Sequence, residues 1–311
     1  MSFEFIIPEI VDPEGVDGSP HPRRVDPLGE ADRQEKVVET DGEPMTNFKG
    51  TSNPYIDYES IDLLLSLQHP RSQGYDEMCF IIMGQAKELL FKSLYFELYN
   101  LQIRIQNDDI ANAFVIMDRC KKILKLIVNV WEVLSTIRTD GFNSFRDYLN
   151  VASGQLSFMY RHIEFILGNK NQKMCDAHEN VPHVYPALFK NFSSPSIYDD
   201  VIKLLHRNGH QISEECLERD WTEVYKNHPS VEDAWLKVYS DPTPTNDLYM
   251  LGEGLTEIAD IFSQYRHRHF VSVERILGFK PGTGGSAGVG WLKKAVDHRF
   301  FPELWTIRTK L

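Results

Sequence analysis

Cysteine is scarce in this chain of 311 residues. The four cysteines, Cys79, Cys120, Cys175 and Cys216, lie far apart, and no two of them form a CxxC pair. This spacing argues against a disulfide framework and against a cysteine zinc site, and it is typical of reduced thiols in the cytoplasm. We therefore expect a cytoplasmic protein.

Long apolar runs and clusters of basic residues are also missing. No stretch approaches the roughly 20 apolar residues of a membrane span, and the start of the chain has no basic segment followed by an apolar run. We therefore expect neither a membrane protein nor a secretory leader. The net charge of −12 argues against a nucleic-acid partner, since phosphate binding requires clustered Lys and Arg.

The negative charge is concentrated at the start of the chain. Residues 1–50 hold 12 acidic and 5 basic side chains, which accounts for −7 of the net charge. This segment also carries six prolines and no sustained apolar period. We predict an irregular, acidic, proline-rich arm over residues 1–50, followed by a single domain over residues 51–311.

Helical periodicity dominates the rest of the sequence. Apolar side chains recur at steps of three, four or seven from Ile110 to Leu134, and similar stripes run from Leu90 to Ile105 and from Leu248 to Ile276. No window alternates as a strand for more than four or five residues. The fold class that this predicts is all-α, a helical bundle.

Two shorter helices are expected between these long ones. The first should run from Ser194 to His206, with Ser194 as its N-cap and Pro195 at its first position, and Asn208-Gly209 should end it. The second should run from Val231 to Tyr239.

His269 lies on the apolar stripe of the last long helix, between Tyr265 and Val273 in the register. An imidazole inside a bundle needs a partner. It is either a core histidine bonded to a carbonyl or carboxylate, or the axial ligand of a flat cofactor between helices. His267 points off the stripe, so it cannot share that role, although it is the next candidate ligand.

Arg146 follows the Trp131 helix, in the segment Phe145-Arg146-Asp147. Its guanidinium is either an ordinary ion-pair partner or a bidentate clamp for a substrate carboxylate, for which the planar fork is suited. The glycine-rich run from Gly278 to Gly290 is neither a Walker A loop nor a dinucleotide-binding fingerprint. It is either a flexible connector or a mobile flap whose backbone approaches a ligand, with Thr283 and Ser286 supplying the hydroxyls.

These segments together resemble the tryptophan 2,3-dioxygenase family. The resemblance runs from about Tyr55 to the C-terminus with few gaps, and residues 1–50 match nothing in the family. The matching segments, in chain order, are Asp76 to Ile82, Glu88 to Lys92, Phe145 to Asp147, Ser153-Gly154, Tyr160-Arg161, Ile163 to Phe165, Leu167 to Lys170, Gly278 to Lys280, Gly282 to Ser286 and Phe301 to Leu304.

The resemblance implies an all-helical homotetramer that binds haem b, uses O2 as co-substrate and takes an indole amino acid as its small-molecule partner. It implies a residue role at nine positions. His269 would be the axial ligand of the haem iron, Arg146 would bind the substrate carboxylate, and Thr283 would bind the carboxylate or ammonium end. Phe80 and Phe142 would line the indole pocket, Ser153 and Gly154 would border the haem, and Tyr55 and Tyr58 would reach in from a neighbouring subunit.

The sequence departs from the family pattern at Gly84, where the family has a histidine that faces the indole N–H. Leu90 stands where tryptophan is usual, Gln155-Leu156 where Phe-Gln is usual, and Glu59 replaces a leucine. These changes are either drift in an ordinary dioxygenase, or they widen the pocket for a substituted tryptophan and change the fate of the oxygen.

Three functions are therefore open at this point. The first is 2,3-dioxygenation of L-tryptophan or a substituted tryptophan to an N-formylkynurenine. The second is monooxygenation of a tryptophan analogue to an oxindole or hydroxyindole in secondary metabolism, and the third is haem or ligand binding without turnover. Retention of Arg146, Thr283 and His269 together favours an enzyme, since a haem binder has no use for a carboxylate clamp.

Overall fold

A computed structural model describes residues 27–46, 48 and 53–311 of the chain. Its described part contains helices and no strand, which confirms the predicted all-α fold class. None of the helices in this part is both long enough and apolar enough to cross a membrane. The α-helices are α1 (Glu30–Glu39), α2 (Pro54–Glu59), α3 (Ile61–Leu65), α4 (Tyr75–Gln106), α5 (Ile110–Leu134), α6 (Thr139–Asn143), α7 (Phe158–Leu167), α8 (Gln172–Asp176), α9 (Tyr185–Phe192), α10 (Ile197–Arg207), α11 (Glu214–Leu217), α12 (Pro229–Tyr239), α13 (Asp247–Leu277), α14 (Val289–Asp297) and α15 (Pro302–Thr306), with 3-10 turns at Arg146–Leu149, Gly154–Leu156 and Ile307–Thr309.

The described chain forms two compact units, and the boundary between them lies at His69 and Pro70. The earlier unit holds α1, α2 and α3, none of which has a buried residue. Helix α1 lies inside the segment that was predicted to be irregular, so the expectation missed it. Residues 1–26, which hold most of that predicted arm, lie outside the described residues, and the predicted division at residue 50 stays a prediction.

Three long helices form the core of the later unit. Helix α5 packs against both α4 and α13, while α7 and α10 pack against α4. The predicted stripes supply the buried faces, and the fully buried members include Leu94, Leu98, Leu101, Leu124, Ile127, Leu255 and Ile258. Side chains cap two of these three helices: Asp109 accepts from Asn112 N at the start of α5, and Asn246 accepts from Tyr249 N at 3.2 Å at the start of α13.

The predicted cap of α10 was wrong by two residues. The structure places the N-cap at Ser196, whose Oγ accepts from Asp199 N, while the Asp199 carboxylate accepts from Ser196 N at 2.7 Å. This reciprocal pair is a capping box, and it outcompetes Ser194, whose hydroxyl donates to Lys190 O instead. The predicted end of this helix at Asn208-Gly209 is confirmed, because Asn208 is the C-cap and Gly209 follows with a φ of +87°.

A buried ionic cluster ties α13 to α7 one turn before His269. Arg266 donates to Glu164 Oε1 at 2.8 Å and to the carbonyl of His298 at 3.2 Å, and Arg161 also donates to Glu164. Burial alone would raise the pKa of Glu164, but the two guanidinium groups lower it, so the carboxylate stays charged. The cluster therefore fixes the register of the segment that carries His269.

Candidate functional site

His269 lies on the inner side of α13, against the middle helix of the bundle. Its ring stacks on the indole of Trp131 from α5, with centroids 4.4 Å apart and planes at 16°. Tyr265, one turn earlier, is buried beside it. His267 is exposed, as its register predicted. The structure thus separates the two histidines, and only His269 faces the interior.

The ring nitrogens of His269 are available to bind a metal. Burial, together with the nearby charge of Lys87, lowers its pKa to about 3, so the ring is neutral at pH 7. Its ring nitrogens make no hydrogen bond with any described residue. The neighbouring Trp131 Nε1 is buried and also has no hydrogen-bond partner among the described residues. A core histidine would be bonded to a carbonyl or carboxylate. The core-histidine alternative therefore lacks the partner that it requires.

Helix α4 carries Phe80, Gly84, Lys87 and Phe91 at helical spacing. Lys87 contacts Trp131 and Phe91 contacts Tyr265, the two aromatic neighbours of His269. A Cβ placed on Gly84 would meet no atom within 4 Å, so the missing side chain leaves open space. The Lys87 ammonium lies over the Trp131 ring, 4.3 Å from its centroid. Burial lowers the pKa of Lys87 to about 8, and the adjacent Glu88 only partly opposes this.

Three phenylalanines form the apolar end of the site. The ring of Phe80 lies 6.0 Å from Phe142 and 5.3 Å from Phe145, and the latter two are 5.0 Å apart, all between ring centroids. Phe142 and Phe145 are buried, while Phe80 is half-buried. The structure thus brings together Phe80 and Phe142, the predicted pocket pair, and adds Phe145.

Arg146 follows directly after this aromatic group. Its Nη2 donates to the carbonyl of Pro281 at 2.8 Å, which links it to the glycine-rich loop. Its Nε is buried and has no partner in the described part of the chain. Neither Arg146 nor its neighbour Asp147 takes part in an ion pair with a described residue, so the ordinary ion-pair alternative is not what the structure displays.

The glycine-rich segment closes over the turn that follows Arg146. Thr283 Oγ1 donates to Ala152 O at 2.6 Å, and Gln155 Nε2 donates to Gly284 O at 3.2 Å. A Cβ on Gly284 would lie 2.7 Å from the Cβ of Ser153, so only glycine permits this approach. The run is thus a docked loop between α13 and α14.

Ser153 and Gly154 lie under that loop, at the start of a 3-10 turn. A Cβ on Gly154 would meet nothing within 4 Å, so this position also borders open space. Tyr55 and Tyr58 belong to α2 in the other unit, with 64% and 74% of their surface exposed. They are therefore available to a partner molecule, and their role stays a prediction.

Two residues of this site were not singled out from the sequence. Lys87 interrupts an otherwise apolar face of α4. It lies three residues after Gly84 and seven after Phe80, and this helical spacing could have placed it on the same face of the helix as those two residues. Trp131 was assigned to the core stripe only. Its stacking on His269 joins residues that are 138 positions apart, and no local pattern reports such a contact.

The residues present fit a haem held by His269. The donor is a neutral imidazole that makes no hydrogen bond with any described residue. It lies among aromatic side chains, and open space borders Gly84 and Gly154. In the described residues no three His, Cys, Asp or Glu side chains cluster in a way that could hold a bare metal ion.

Comparison with known proteins shows which family the sequence matches. The sequence model of the tryptophan 2,3-dioxygenase family matches residues 39–186 and 177–311. Tryptophan 2,3-dioxygenase 1 of Ralstonia nicotianae is 42% identical over 260 residues, which cover 84% of this chain and 88% of the relative. The tryptophan 2,3-dioxygenase of Burkholderia pseudomallei is 43% identical and that of Burkholderia mallei 42%, each over 84% of this chain and 85% of the relative. The chain belongs to the tryptophan 2,3-dioxygenase family.

Proposed function

We propose that the chain is a cytoplasmic, haem-dependent oxygenase that adds both atoms of dioxygen to the indole ring of L-tryptophan and yields N-formylkynurenine. The observation that carries the proposal is the His269 imidazole, which is neutral, has no hydrogen bond to any described residue and stacks on Trp131. The names of the similar proteins support the substrate and the reaction. The cysteines, all unpaired and three of them buried, suit a reducing compartment.

The cofactor would be haem b, with His269 as its protein ligand. When bound, the haem supplies the dioxygen chemistry, and the chain supplies binding, orientation and a dry pocket. His269 is suited to the role because burial keeps its nitrogen lone pair unprotonated. The Glu164–Arg266 cluster one turn away keeps its helix in register.

Substrate orientation would depend on Arg146 and Thr283. The buried Nε of Arg146 has no partner among the described residues, so it can donate to a substrate carboxylate. The Thr283 hydroxyl donates to Ala152 O, so its remaining lone pairs can accept from an ammonium group. A tryptophan held at both ends of its backbone would have one orientation of its indole ring.

The indole ring would lie against Phe80 and Phe142, which supply apolar surface without competing hydrogen bonds. Ser153 and Gly154 would border the haem, and Gly84 would leave room beside the indole nitrogen. We further propose that the active form is a homotetramer in which Tyr55 and Tyr58 complete the site of a neighbouring subunit. Their exposure supports this assignment, since an exposed tyrosine pair suits an interface.

The test is reconstitution of the full-length protein with haem, followed by turnover of L-tryptophan. We expect a histidine-ligated Soret band and accumulation of N-formylkynurenine, which is followed by its ultraviolet absorbance. A haem-loaded protein that binds tryptophan but never consumes it would refute the proposed reaction. It would favour the non-catalytic alternative.

A further inference from the structure

Lys87 is a half-buried cation whose ammonium lies over an aromatic ring, without a counter-charge in contact among the described residues. Its ammonium makes no hydrogen bond and no ion pair with any residue in the described part of the chain. The acid next to it in sequence, Glu88, instead accepts a hydrogen bond from Ser157 Oγ at 2.9 Å. What surrounds the ammonium is aromatic, with the Trp131 ring at 4.3 Å. Partial removal of an ammonium from water without an ion-pair partner among the described residues costs free energy, so the position of Lys87 calls for a functional reason.

The charge of Lys87 acts directly on His269. Trp131 lies in contact with both side chains, stacking on the imidazole with centroids 4.4 Å apart. The Lys87 charge is also one of the two causes that disfavour a second positive charge on His269. Any group bound to the His269 nitrogen would therefore experience the same positive field.

We infer that the Lys87 ammonium tunes the haem iron electrostatically, favouring the ferrous over the ferric state and strengthening the binding of anionic iron ligands. Reduction adds one electron to ferric iron and lowers its positive charge by one, so a nearby cation favours that step. Anions such as cyanide gain from the same field, whereas neutral ligands such as imidazole do not. The inference rests on the proposed haem site. In it, Lys87 acts on the iron through its charge and does not bind the iron.

The experiment compares the haem-loaded wild type with Lys87→Met and Lys87→Arg. A spectroelectrochemical titration with mediators measures the ferrous-to-ferric ratio at fixed potential. We expect Lys87→Met to lower that ratio about tenfold, which is about 59 mV for a one-electron couple, and Lys87→Arg to stay close to the wild type. Cyanide affinity of the ferric protein should fall on the order of tenfold in Lys87→Met, with imidazole affinity unchanged.

Lys125→Met is the matched control, because Lys125 is on the neighbouring helix α5 with 63% of its side chain exposed. An unchanged potential in Lys87→Met would overturn the inference. A loss of haem content at unchanged potential would also overturn it, because that result would indicate that Lys87 binds a carboxylate of the haem instead. If the wild type binds no haem at His269, it is the proposed function that fails, so the two failures are distinguishable.

Discussion

Replacement of Lys87 by methionine should stabilise the haem-free protein. Methionine matches the length of the lysine stem but carries no charge, so it removes the ammonium from its position over Trp131. Burial lowers the pKa of Lys87 from its ordinary 10.5 to about 8. At about 1.4 kcal/mol for each pKa unit, this sets an upper bound of about 3 kcal/mol on the stability lost to the charge, since the side chain keeps some contact with solvent.

The pH dependence gives the prediction its sign. Below pH 8 the lysine is protonated in both the folded and unfolded states, and the folded state carries the full penalty. Between pH 8 and 10.5 the folded state releases its proton first, so the penalty fades. We therefore expect the free energy of unfolding of Lys87→Met to exceed that of the wild type by about 1–3 kcal/mol at pH 7, with the difference shrinking toward pH 10.5.

Urea unfolding of the haem-free protein, followed by circular dichroism at several pH values, measures this difference. The denaturant slope should stay the same, so that the midpoint shift reports stability alone. Lys125→Met is the control, and its exposed site should change stability by less than about 1 kcal/mol. A Lys87→Met variant that gains nothing at pH 7, or gains equally at every pH, would refute the reasoning that the ammonium is buried at a cost.

Three further predictions concern the site. His269→Ala should abolish stable haem binding and its Soret band, while His267→Ala, at an exposed position, should keep both; haem retained by His269→Ala would disprove the assignment. Arg146→Ala should weaken tryptophan binding by about 2–3 kcal/mol, or roughly 30- to 150-fold, and leave indole almost unaffected. Calorimetric losses of equal size for both ligands would contradict the carboxylate role. Gly84→His should fold normally, because its Cβ meets nothing within 4 Å, and should reduce turnover of ring-substituted tryptophans relative to tryptophan. An unchanged substrate range would show that the open space does not contact the indole.

The long helices were predictable because their stability comes from burial of one face, and burial has a period that the sequence displays. The predicted stripe from Ile110 to Leu134 coincides with α5, and α13 extends only one residue beyond the predicted range at each end. Helix α4 was predicted only from Leu90 because its earlier turns mix Gly84, Lys87 and exposed side chains. Those are the turns that line the site, where functional needs interrupt the apolar pattern.

The short elements were harder because local hydrogen bonds decide them. Ser194 and Ser196 are equally good caps by composition, and the carboxylate of Asp199 selects the second. In the candidate site, the sequence predicts His269 and Arg146 as individual residues, but their surroundings come from distant parts of the chain. Trp131 beside His269 and Pro281 beside Arg146 are tertiary contacts, which the helical period does not encode.

The central claim is that this chain adds both oxygen atoms of one dioxygen molecule to tryptophan. The most direct test is mass analysis of the product formed from L-tryptophan by the reduced, haem-loaded protein under 18O2. The account predicts N-formylkynurenine that carries two labelled atoms. A product with a single labelled atom, such as an oxindole or hydroxyindole, would contradict it and would identify the protein as a monooxygenase.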